Sequence, residues 1–165
     1  AMFSATLSLN AAEFTQSLRR FAEEFHKAAG RAVISAAREG VSLIVQRTGE
    51  PPIPRAKVYQ RTNRLISGWA PAGNFLGVLV PPVRSKAEGS NEGSYSFSQA
   101  DGETRFVVTN DVPYALAVEL TGTWIIPPPR QQRRAPYLTV ANSIKEMESK
   151  GSFERHIGNE WDALI

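Results

Sequence analysis

The sequence predicts an α+β fold, an antiparallel sheet packed by a long N-terminal helix and C-terminal helices. Three observations lead there. Phe14, Leu18, Phe21, Phe25, Ala28, Ala32, Ala36, Val41 and Ile44 recur mostly at three- and four-residue steps, the signature of one helical face. Residues 75–83 and 104–109 alternate apolar with polar or outward positions, as strands do. Beyond Pro136 helical spacing returns. At 165 residues and 42% hydrophobic content the chain fits one domain, 1–165, enclosing a modest core.

Phe3 to Leu9 alternate and read as a short first strand. Asn10 then caps the long helix, with Glu13 three residues on in a capping-box-like arrangement. Gly30 and Gly40 each weaken that helix by about 1 kcal/mol relative to Ala, so a bend near Gly30 is expected. The prolines at 51, 52 and 54 end it and impose an extended path. Thr62 can cap a short helical turn through Ser67, closed by Pro71 and Gly73, with Leu65, Ile66 and Trp69 turned to the core. Leu76, Val78 and Val80 alternate in the first sheet strand, 75–83. Gly89, Ser90 and Gly93 mark a mobile loop over 84–101, within which Tyr95 to Phe97 can form a hairpin arm ending at Asp101-Gly102. Phe106 and Val108 share one face of the next strand, so the sheet is expected mainly from 75–83, 95–98 and 104–109.

Asn110-Asp111 ahead of Val112-Pro113 is a turn, because Asn and Asp bond local backbone and the residue before proline avoids the helical region. Tyr114 to Leu120 is apolar except for Glu119 and too short to assign to helix or strand by period. Trp124 to Arg134 is apolar, then proline-rich, then basic, which reads as a stiff arm over 124–134 held off the body. Pro136 suits the first turn of a helix carrying Leu138, Ala141, Ile144 and Met147. Gly151 ends it, and Phe153, Ile157, Trp161 and Leu164 form a last amphipathic helix.

Three of these stretches together resemble the tail-completion, or head–tail joining, proteins of long-tailed bacteriophages. Thr62-Asn63-Arg64-Leu65-Ile66-Ser67-Gly68-Trp69 is similar to that family's TG-x-L-x-x-S-W element, with Asn63 where Gly is usual. Tyr114-Ala115, Val118-Glu119 and Gly122-Thr123 resemble YA-x-x-VE-x-GT, lengthened by Thr121. Ala135-Pro136-Tyr137-Leu138 with Ala141 resembles A-x-PF-L-x-x-A, with Tyr for Phe. The resemblance implies a structural virion protein of the neck, made and assembled in the host cytoplasm. It would be a homo-oligomeric ring subunit between the head connector or adaptor and the tail tube or tail terminator, with phage DNA in its lumen. It implies no cofactor and no membrane partner. The candidate interface residues are Arg55, Arg64, Trp69, Tyr114, Glu119, Trp124, Arg130, Arg133 and Arg134.

Charge points the same way. The net +3 is divided unevenly: 51–70 carries +4 and 121–140 carries +3, around −3 over 101–120. Such alternation suits a surface that meets copies of itself or an anionic polymer, and a small basic nucleic-acid-binding module is the alternative reading. Glu119 is either an exposed charge or a buried one that needs a partner, with Arg64 and Arg134 as candidates. The absence of cysteine excludes disulfides and thiolate metal sites. No phosphate-binding Gly loop ending in Lys-Ser or Lys-Thr, no G-x-S-x-G and no H-E-x-x-H occurs, so no catalysis is expected.

Overall fold

The computed structural model describes residues 10–49, 63–82, 92–100, 102–121, 123–126, 130–133, 136 and 138–164, with the backbone alone at 121, 123–126 and 130–133. The fold is α+β, as the sequence predicts. The first helix, α1, runs from Ala11 to Gly49 without interruption, about 58 Å at ~1.5 Å per residue. Its start is the expected one: the Asn10 Oδ1 accepts the backbone N–H groups of Ala12 and Glu13 at 3.1 and 3.3 Å. A Cβ at Gly30 would meet the tip of the Gln99 side chain at 2.7 Å. The Gln99 Nε2 in turn donates to the His26 carbonyl at 2.8 Å. The strand predicted for residues 3–9 and the proline path at 50–54 lie outside the described residues.

Two short helices follow, α2 (Arg64–Ser67) and α3 (Ala70–Leu76). Here the sequence reading needs correction. Pro71 does not close a helical turn but opens α3, where its missing N–H is no loss. Residues 75–82 are consequently not a strand: 75 and 76 belong to α3, Gly77 ends it at φ 69, and 78–82 form no regular element, while Val83 lies outside the described residues. The alternation that suggested a strand has another cause. Leu76, Val78 and Val80 pack into the core while Leu79 is 92% exposed, so an extended segment crosses the core without a ladder partner. The Arg38 Nε donates to the Leu76 carbonyl at 2.6 Å and satisfies the end of α3.

Strands β1 (Gly93–Ala100) and β2 (Glu103–Asn110) pair antiparallel, from Gly93 opposite Asn110 to Ala100 opposite Glu103. The expected hairpin is therefore present, with Gly102 at φ 76 in its turn. It corrects the loop reading, since 93–100 is strand; 84–91 and Asp101 lie outside the described residues. Residues 115–121, left open between helix and strand by their short apolar run, form helix α4 (Ala115–Thr121). Within the proline-rich arm expected over 124–134, the described residues form a hairpin. Thr123–Ile126 (β3) and Arg130–Arg133 (β4) pair with each other, Thr123 opposite Arg133. An extended run of Trp-Ile-Ile is satisfied by a ladder, and one re-forms once the chain has passed prolines that lack an N–H. The two hairpins make two separate sheets.

The last helices are α5 (Thr139–Ser149) and α6 (Ser152–Asp162), joined through Gly151 at φ 58. Helix α5 begins three residues after Pro136, not at it. Its buried residues are Thr139, Ser143 and Met147, while Leu138 and Ile144 are 37% and 44% exposed. The core lies on the C-terminal half of α1, where Val41, Ile44 and Val45 meet Ile66, Trp69, Ala72 and Leu76, backed by Phe106, Val108 and Val140. Helix α6 is fastened to α1 by Glu39, which accepts from Ser152 Oγ, Arg155 and His156 Nε2, each at 2.7 Å. Arg31 and Glu160 add a second ion pair at 2.6 Å. No helix among the described residues is long and apolar enough to cross a membrane.

Candidate functional site

The stretches around residues 63–69, 110–121 and 138–143 come together at one corner. Asn110 joins the first two: its Oδ1 accepts the Val112 N–H at 3.2 Å, and its Nδ2 donates to the Leu65 carbonyl at 2.8 Å. Val118, fully buried, packs against Leu65 and Tyr114. The Arg64 guanidinium lies 5.9 Å from the centroid of the Tyr114 ring, a cation–π distance. It also forks onto Glu92, with Nε to Oε2 at 2.7 Å and Nη2 to Oε1 at 2.5 Å. That bidentate geometry holds the Glu92 carboxyl below its ordinary value. The Glu92 carbonyl accepts the Asp111 N–H at 2.8 Å, so the ion pair sits at the foot of the hairpin.

Glu119 ties the second stretch to the third. Its Oε2 accepts the Thr139 N–H at 2.7 Å, its Oε1 accepts the Thr139 hydroxyl, and its carbonyl accepts the Leu138 N–H at 3.2 Å. A carboxylate from α4 thus serves as the N-terminal cap of α5, which has no cap of its own, Leu138 standing there at φ 50. Burial pushes the Glu119 carboxyl up, against the backbone N–H groups of Thr139 and Val140, which pull it down. The expected Arg64 partner is taken by Glu92, and helix α5 stands where a cation was anticipated. Arg134 lies outside the described residues.

Two backbone features explain residue choices at this corner. Asn63 adopts φ 58, the left-handed region in which Gly is at ease and Asn is the best tolerated alternative. Gly93 abuts the Gly68 carbonyl so closely that any Cβ would collide with backbone. Trp69 is 7% exposed and belongs to the core, as expected of an anchor. Trp124 is in β3 opposite Gln132, and Arg130 and Arg133 are in β4 opposite Ile126 and Thr123. Arg55 lies outside the described residues.

Of the candidate residues, then, the structure brings Arg64, Tyr114 and Glu119 to one corner and puts Trp69 behind it in the core. Sequence reasoning missed Glu92 and Thr139, whose parts in the corner depend on contacts 28 and 20 residues away along the chain. Asn110 carried a signal, since Asn opening a turn ahead of proline seeks nearby backbone groups. Arg64 and Glu92 neutralise each other here, while Leu116 and Leu120 on α4 stay 70% and 59% exposed. Among the described residues no group of His, Asp and Glu could hold a metal ion. No protein-family model, no curated protein and no solved structure matches this chain.

Proposed function

We propose that the chain is a structural protein of the phage neck, a ring subunit that joins the capsid connector to the tail tube around the DNA channel and acts without catalysis or cofactor. The observation that carries this reading is the convergence of the three motif stretches. Residues separated by 20 to 45 positions bond one another directly through Asn110–Leu65 and Glu119–Thr139. Asn63 supports it further, because the family's usual Gly suits the backbone found there. The bare Leu116 and Leu120 supply apolar surface for a neighbour at the same corner.

Electron microscopy of particles assembled without this protein tests the reading. The expected result is full heads and finished tails left unjoined; normally joined particles would overturn it. The alternative, a basic nucleic-acid-binding module, calls for duplex DNA binding by the isolated chain with a steep salt slope. It draws less support, since Arg64, one of the cations it would use, is held by Glu92.

A further inference from the structure

Every residue from Asn10 to Lys27 is exposed, and among the described residues α6 and the hairpin first meet this segment at Phe25 and His26, through Trp161 and Gln99. That segment is nonetheless apolar on one side. Phe14, Leu18, Phe21 and Phe25 are 47–52% exposed and follow at steps of four, three and four. The same heptad stripe continues into Ala28 and Ala32, which are buried because α6 lies beside them. Where α6 meets α1 the fit is incomplete. A groove of about 270 Å³ runs between Ala28, Ala32 and Ala36 on one wall and Phe153, Ile157 and Trp161 on the other. Phe25 rests edge-on against Trp161 at 6.0 Å and lines the groove, so the same face carries the exposed Phe14, Leu18 and Phe21 and, one step further along, a groove floored by small side chains.

We infer that this groove receives the α1 arm of a second copy of this chain. Three features select that occupant. The first is size. In an antiparallel pair of α1 helices, heptad layers that place Phe21 against Phe25 of the other copy also place Phe14 against Ala32 and Leu18 against Ala28, large opposite small in each outer layer. The second is charge. The arm balances Arg19, Arg20 and Lys27 against Glu13, Glu23 and Glu24, and Glu160 on the groove lining is already paired with Arg31 at 2.6 Å, so no excess of one sign opposes the contact. The third is area. Four large side chains about half exposed, with the groove walls they would cover, amount to several hundred Å² on each copy, on the scale of the roughly 800 Å² per partner of a stable interface. The Ala-rich wall is what allows the second helix to approach closely.

This inference goes beyond the ring reading and does not rest on it: an antiparallel α1 pair is two-fold symmetric and closes at a dimer, whereas a ring is built from a separate head-to-tail contact. The chain has no cysteine, so single-cysteine variants report contacts without background. Leu18→Cys and Ile157→Cys, prepared separately, mixed and treated with a short bismaleimide, should give a cross-linked pair, whereas Leu18→Cys with Leu79→Cys should not. By sedimentation equilibrium the full chain should self-associate, and Leu18→Glu should weaken that by at least about tenfold. Leu18 is exposed, so this variant keeps its fold. A chain that stays monomeric at about 100 µM overturns the inference, whether the groove is then empty or filled by the chain's own residues. A chain that assembles without the Leu18–Ile157 cross-link also overturns it and leaves the neck reading in place.

Discussion

Along α1, residues 28–49 place Ala28, Ala32, Val41, Ile44 and Val45 against α6, α3 and the hairpin, whereas residues 11–27 leave Phe14, Leu18, Phe21 and Phe25 about half exposed. Both halves belong to one unbroken helix with one apolar stripe. The difference shows that periodicity fixes which side of a helix is apolar, and the rest of the chain fixes how much of that side is covered. Among the described residues the coverage ends near Lys27, where α6 and the hairpin end. Cantilevering four turns of Phe-rich helix into water stabilises nothing in an isolated copy, which is why the bare half reads as a surface for another one.

The sharpest way to break this comparison is to truncate matched side chains in the two halves. Ile44→Ala should destabilise the fold by about 2–4 kcal/mol through lost burial and a cavity against Ile66 and Leu76. Leu18→Ala should cost less than about 0.5 kcal/mol, as exposed positions do. Urea unfolding at a dilution that suppresses association checks both. Equal losses would mean that the arm is covered within one copy.

The attachment of α6 comes next in size. Hydrogen bonds from Ser152 foremost, then His156 and Arg155, hold the Glu39 carboxyl at about 2 against an ordinary 4.5, overcoming the opposing effect of burial. A depressed carboxyl stabilises the fold above its unfolded value and loses that contribution as the pH falls through its folded one. The chain should therefore lose about 1–2 kcal/mol between pH 4.5 and 2 from this group, allowing for solvent screening. Glu39→Gln should flatten that part of a stability profile and loosen α6. Since α6 forms one wall of the groove, the same variant should also weaken association between copies.

Smaller still is the corner built by α4 and α5. Glu119→Ala removes the cap of α5 and should cost about 1 kcal/mol in thermal or chemical unfolding. Glu119→Gln keeps an acceptor for the Thr139 N–H and should shift stability by less than about 0.5 kcal/mol. The sign follows from the raised carboxyl. Its contribution is largest at low pH and declines as the pH rises through the folded value, so the Gln variant should gain slightly at neutral pH. A large loss in Glu119→Gln would point to a cationic partner instead of a helix end.

Much of the architecture was legible because it rests on local chemistry. Asn10 caps α1, Gly102 turns the hairpin, and Trp69 is buried, each for a reason visible within a few residues. What was misread depends on neighbours far along the chain. Residues 78–80 alternate because they cross a core and not because they pair, and Pro71 opens a helix because Trp69 and Leu76 both need burial on the same side. Helix α5 buries Thr139 and Ser143, whose hydroxyls are satisfied by Glu119 and by the Thr139 carbonyl, so its apolar residues were no guide to its inner face. The corner was half legible: the three motif stretches named Arg64, Tyr114 and Glu119, while Glu92 and Thr139 became apparent only from their contacts.

Hydrogen–deuterium exchange of the full chain across a range of protein concentrations tests the central claim most directly. The expected result is that amides of residues 11–27 become protected as concentration rises while those of 28–49 stay protected throughout. Exchange in 11–27 that is the same at every concentration, fast or slow, would contradict an arm completed by a second copy.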